Sequence, residues 1–215
     1  MTDPRFYIQK SGTTGMLTNI SEIHPLNARI RENRLSSNVI FGLIYGIFCF
    51  FGFWLSSKNG ELTPIWPASG LAVAAVFIGG RSLLPGLFIA SLLSNAFTGM
   101  GMAASFCVAM GSLLEAYVAF TLLQSARKVS ELLGDYTLPA WIIVSSFIAP
   151  IIAAYLGIFG QAYLSTYAID SWPSDLLRVW WLSSSIGILV VTPAMGNIVK
   201  TVSNTLCHIY CFLSS

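Results

Sequence analysis

Hydrophobic and polar positions fall into long blocks along this chain, not into the short periods of a soluble helix or strand. Residues 1–37 are polar and mixed. Beyond them, apolar stretches recur at about 38–57, 62–80, 83–100, 102–124, 138–161 and 176–197. A helix needs roughly 20 mostly apolar residues to cross a bilayer, so the pattern predicts an all-α, polytopic membrane bundle of about six transmembrane helices. The second and third stretches are short, with only Arg81 and Ser82 between them. Two spans and a re-entrant hairpin both fit, and both return the chain to the same side. Residues 198–215 are less apolar, broken by Lys200, Asn204 and His208, and read as a short cytoplasmic or interfacial tail. The chain thus divides into a polar tail (1–37), a membrane-embedded unit (38–197) and that closing segment.

Composition agrees with the blocks. Hydrophobic residues make up 55% of the 215 and charged residues only 9%, with mean hydropathy +0.72. Soluble domains carry about 25% charged residues, so a soluble class is excluded. No apolar core of a secretory signal lies in residues 1–38. Cytoplasmic loops collect lysine and arginine. With the N-terminus inside, that side receives Arg5, Lys10, Arg29, Arg31, Arg34, Arg81, Arg127, Lys128 and Lys200, leaving only Lys58 and Arg178 outside. Both termini are therefore expected in the cytoplasm. Asp170 and Asp175 make the loop 162–175 acidic, and Trp172, Trp180 and Trp181 fall where an outer aromatic belt would lie.

Against this background a few residues stand out. Pro64, Pro67 and Pro85 sit at helix starts, where proline's missing N–H costs nothing. Trp66 is placed as an interface anchor, while Gly70 and the Gly79-Gly80 pair allow close approach or a tight turn. Glu115 is the sharpest feature. It lies about 20 Å into the fourth span at 1.5 Å per residue, and an acid at such depth normally faces the protein interior or a water-filled cavity. Without a positive partner it can sit there as a neutral acid that donates a hydrogen bond, serving a ligand or proton site or clamping helices together. Gly111, Ser112 and Ala119 share its face; Ser91, Ser94, Asn95 and Thr192 match its depth on other spans. Arg178 stands at the outer end of the sixth span, above the small polar face Ser183, Ser184, Ser185 and Gly187; snorkelling to the headgroups accounts for it simply. Pro150 and Pro193 are expected to kink their spans, and Gly42 with Gly46 gives the first span a GxxxG.

Of four cysteines, Cys49 and Cys107 lie within spans and read as packing residues. Cys207 and Cys211 share a helix face, but His208 points about 100° away and no fourth ligand is evident, so no metal is expected. The sequence holds no phosphate-binding glycine loop, no HExxH, no nucleophile elbow and no cyclase or phosphodiesterase signature. Catalysis, a cofactor and nucleic acid are not expected.

Three blocks carry a family likeness: "IWPASGLAVAAVFIGGRSLLPGLFIASLLSN" (65–95), "GSLLEAYVAFTLL" (111–123) and "WWLSSSIGILVVTPAM" (180–195). In order and spacing, over roughly 38–197, they resemble the first class of membrane-associated sensor domains, the MASE family. Trp66, Pro67, Gly70, Arg81, Pro85, Gly86, Asn95, Glu115, Gly187 and Pro193 fit its pattern. Leu84 stands where the family often has tryptophan, and Ser183-Ser184 where it usually has Gly-Asp. The resemblance implies a bacterial inner-membrane input domain. It also implies about two more spans and an output domain, so this chain is expected to be short at its C-terminus.

The resulting expectation is a multi-pass sensory or regulatory domain in the bacterial inner membrane. It would contact lipid and a histidine kinase or cyclic-dinucleotide enzyme in trans, with a homodimer suited to that role. Its signalling core is expected around Glu115, Asn95 and Arg81, with Trp66, Pro67, Gly70 and Arg178. Two other readings fit the same features: a small-molecule transporter or substrate-binding membrane subunit, and a truncated remnant of a longer receptor.

Overall fold

The computed structural model describes residues 33–59, 63–133, 137–165 and 173–213, with side chains placed in 33–57, 63–126, 139–165 and 174–198. Most of the polar N-terminal tail, Asp170 and Trp172 of the loop 162–175, and the side chains of Arg127, Lys128, Cys207, His208 and Cys211 lie outside the described residues. The described residues form six α-helices in order: α1 Arg34–Asn59, α2 Pro67–Gly79, α3 Leu84–Phe97, α4 Met102–Leu133, α5 Thr137–Leu164 and α6 Pro173–Leu213. A single 3-10 turn, Arg81–Leu83, joins α2 to α3. The fold is an all-helical membrane bundle.

Four helices carry segments long and apolar enough to span: Arg34–Ser57, Met102–Ala126, Pro139–Leu164 and Ser174–Ile198. The other two are shorter than their apolar stretches. α2 has 13 residues and α3 has 14, about 20 Å each against a hydrocarbon core of roughly 30 Å. Local chemistry sets these limits. Pro67 opens α2 at its first position, and Gly80 closes it with φ +80°. Pro85 lies in the first turn of α3, while Gly99 and Gly101, at φ +83° and +92°, turn the chain into α4. Such positive φ values cost little only for glycine.

Short as it is, α2 is the centre of the molecule. A helix apolar all round is a buried helix, and Ala68 through Ala74 are all buried. α2 packs on α1, α4 and α6, while α4 and α5 form the most extensive pair. Small residues bring these helices close, as in membrane interfaces generally. Gly111 of α4 faces the Ala153 backbone of α5, and Gly160 of α5 faces Ala104 and Cys107 of α4. The closest approach is between α2 and α6, where Gly70 meets the Gly187 carbonyl and Gly187 meets the Trp66 carbonyl.

Pro150 leaves a gap in the hydrogen bonding of α5, as proline inside a helix must. Trp181 of α6 donates its indole N–H to the Phe147 carbonyl there, at 2.8 Å. The carbonyl that loses its intrahelical donor to Pro150 is that of Ser146, one residue back, so Trp181 braces the helix beside the gap.

Candidate functional site

Non-helical backbone is tolerated at membrane depth only where protein or a cavity surrounds it. Residues 63–66, just before α2, are such a segment. The Trp66 N–H donates to the Ser183 carbonyl at 3.0 Å. Ser183 lies nine residues inside the Ser174–Ile198 span, about 14 Å along the α6 axis, so α2 begins well below the end of its neighbour. Thr192 then donates its hydroxyl to the Gly70 carbonyl at 3.1 Å. These bonds and the glycine contact fix the register of α2 on α6.

That register aims the first turn of α2 at Glu115 of α4. The Ser69 hydroxyl lies 3.2 Å from Glu115 Oε2 and 3.2 Å from Ser184 Oγ of α6. A hydroxyl carries one proton, so Ser69 donates to one neighbour and receives from the other. Glu115 is 3% exposed, and its Oε1 has no hydrogen-bond partner. A second arm comes from α1. The Tyr45 hydroxyl is within hydrogen-bonding reach of Ser91 on α3 and Ser112 on α4, and those two serines are 3.3 Å apart. The Cys49 thiol contacts Tyr45 and Ser94. Helices α1, α2, α3, α4 and α6 thus all contribute polar groups to one buried cluster.

Beside the cluster is a cavity of about 90 Å³ lined by Glu115, Ser69, Asn95, Tyr45, Trp66 and Trp180, among others. Ser56, Thr63, Met100 and Gln161 line it too; these belong to the C-terminal ends of α1 and α5 and to the stretches leading into α2 and α4. Trp66 packs edge-to-face on Phe53, ring centres 5.2 Å apart. Both tryptophans are seated against glycine. A Cβ on Gly52 would lie 2.7 Å from the Trp66 ring, and one on Gly157 would lie 2.6 Å from the Trp180 ring.

Of the residues singled out from the sequence, Glu115, Asn95 and Trp66 line this cavity. Pro67 opens α2 and Gly70 locks it onto α6, each one step removed. Asn95 spends its amide N–H on the Ser91 carbonyl, 2.8 Å away. Arg81 and Arg178 stand apart. Arg81 is exposed and its guanidinium lies 5.5 and 5.4 Å from the ring centres of Tyr117 and Phe120. Arg178 is exposed and pairs loosely with Asp175 at 4.0 Å. Sequence reasoning missed Tyr45, Ser69, Gln161 and the polar contacts of Cys49. It did mark Ser184, the position where the family resemblance places an acid, and that position lies one hydroxyl away from Glu115. Among the described residues, no group of three or more His, Cys, Asp or Glu side chains could hold a metal ion.

The sequence profile of the MASE1 family matches residues 37–205. This bundle, with its polar centre, is a membrane-associated sensor domain. The chain belongs to the MASE1 family, whose members are the sensory input domains of signal-transduction proteins and occur with cytoplasmic kinase or cyclase output domains. It is a multi-pass protein of the inner membrane. No curated protein and no solved structure matches it.

Proposed function

We propose that the chain senses a stimulus in the membrane through the polar cluster around Glu115 and passes it to a separate cytoplasmic kinase or cyclic-dinucleotide enzyme. The observation that carries this reading is the unpaired, buried Glu115 Oε1 beside a cavity. Leaving a buried acceptor unsatisfied costs about 1–3 kcal/mol, a cost that a bound ligand would remove. A stimulus shifts a two-state protein only through different interactions with the two states, and an orphaned oxygen is one place where such a difference can arise. With lysine and arginine gathered on the cytoplasmic side, the cavity opens away from the cytoplasm, and α6 runs from it back towards the inner surface.

Glu115→Gln keeps size and hydrogen bonding but removes the acid. In cells carrying the chain with its output enzyme, the variant should reach the membrane at wild-type level and lose or lock the response. An unaltered response would sink the assignment. A second reading is favoured by α2 and α3, since transport sites lie beside short, interrupted helices near the midplane. Uptake of a small solute into proteoliposomes, abolished by Glu115→Gln, would support a transporter instead.

A further inference from the structure

The geometry points to a small organic ammonium ion as the ligand of the Glu115 cavity, an inference that rests on the sensor reading above. Charge comes first. Glu115 is the only acidic side chain lining the cavity, and no lysine, arginine or histidine lines it among the described residues. A carboxylate persists as a charge in such a place only beside a partner of opposite sign. Next comes hydrogen bonding. Oε1 accepts nothing from the protein, so it needs a donor, and an ammonium group brings N–H donors and no acceptor.

The walls then choose among cations. Rings of Tyr45, Phe53, Trp66 and Trp180 line the space, and aromatic faces attract ammonium groups while accepting their apolar carbons. A bare metal ion would want a shell of oxygens instead, but one carboxylate and scattered hydroxyls share this space with four rings. Size sets the last limit. At about 90 Å³ the cavity has room for a group the size of methylammonium or ethylammonium.

The purified full chain in lipid nanodiscs tests this. Methylammonium and ethylammonium chloride would be titrated against sodium chloride, potassium chloride and ethanol, following indole fluorescence and thermal stability. Saturable binding of the alkylammoniums is expected, at least tenfold tighter than sodium, potassium or ethanol. Glu115→Gln should weaken it tenfold or more. Trp66→Leu, which keeps the acid and removes a ring, should weaken it severalfold. Equal binding of ethanol, preference for sodium or potassium, undiminished binding by Glu115→Gln, or no alkylammonium binding would each overturn the assignment. No output protein is present in this experiment. A chain that binds ammonium but signals normally as Glu115→Gln refutes the sensor role alone; a variant that alters signalling without ammonium binding refutes the ligand class alone.

Discussion

Trp66, just before α2, and Trp180, on α6, both line the cavity, and each rests where its neighbour has no side chain. Gly52 of α1 and Gly157 of α5 therefore support the cavity wall from behind, although neither lines it. Adding one methyl at either place puts a carbon within 2.7 Å of an indole ring, closer than atoms pack, so the ring must move. Overpacking of this kind costs about 1–3 kcal/mol. Gly52→Ala and Gly157→Ala should each lower the melting temperature in detergent by several degrees and weaken alkylammonium binding. Gly46→Ala is the control, since its nearest contact is Ser94 Oγ at an ordinary 3.7 Å. Wild-type melting and binding in both tryptophan-side variants would mean that the rings are not held by these glycines.

At the scale of elements, the hairpin of α2 and α3 depends on one side chain from outside it. Asn38, in the first turns of α1, donates to the Arg34 and Ser82 carbonyls at 2.8 Å each and accepts from the Gly86 N–H at 2.7 Å. Gly86 is the third residue of α3, and the first amides of a helix have no partner within it, so Asn38 serves as an N-cap supplied by another helix. Asn38→Ala orphans that amide and the Ser82 carbonyl. It should cost about 1–3 kcal/mol, read as an earlier thermal transition with unchanged membrane insertion; an unmoved transition would show that water or lipid replaces the cap. The sequence discloses the parts of this hairpin but not their joining. Its prolines and its glycines at 80, 99 and 101 mark where helices stop, and the depth of Glu115 follows from counting residues. Tyr45 was hidden because it stands in an aromatic run with Phe48, Phe50, Phe51 and Phe53, which reads as a lipid-facing surface. Ser69 was hidden because a serine among alanines and glycines reads as packing. The register of α2 on α6, set by backbone contact at Gly70 and Gly187, brings Ser69 to Glu115 and Ser184, while the packing of α1 on α3 brings Tyr45 to Ser91.

For the whole molecule, that same register links the cavity to the length of α6. The first turn of α2 holds Ser69 between Glu115 and Ser184, the Trp66 amide holds the Ser183 carbonyl, and Thr192 holds Gly70. A ligand that draws Glu115 away from Ser69 therefore acts on α2 and α6 together, and α6 continues to Leu213. Packed helices move between discrete arrangements rather than deforming smoothly, so a shift of α2 along α6 is the natural carrier of a signal. A reversible bond across this seam decides whether it moves. Ser69 and Ser184 have oxygens 3.2 Å apart, close enough for the paired cysteines Ser69→Cys and Ser184→Cys to form a disulfide with modest adjustment. The reduced double variant controls for the two lost hydroxyls, and single Ser69→Cys controls for oxidation of the native thiols. Oxidation should freeze the output of the double variant in one state, and reductant should release it. If the oxidised chain responds as well as the reduced one, α2 and α6 travel as a single body and the signal leaves the cavity through α4, the helix that carries Glu115.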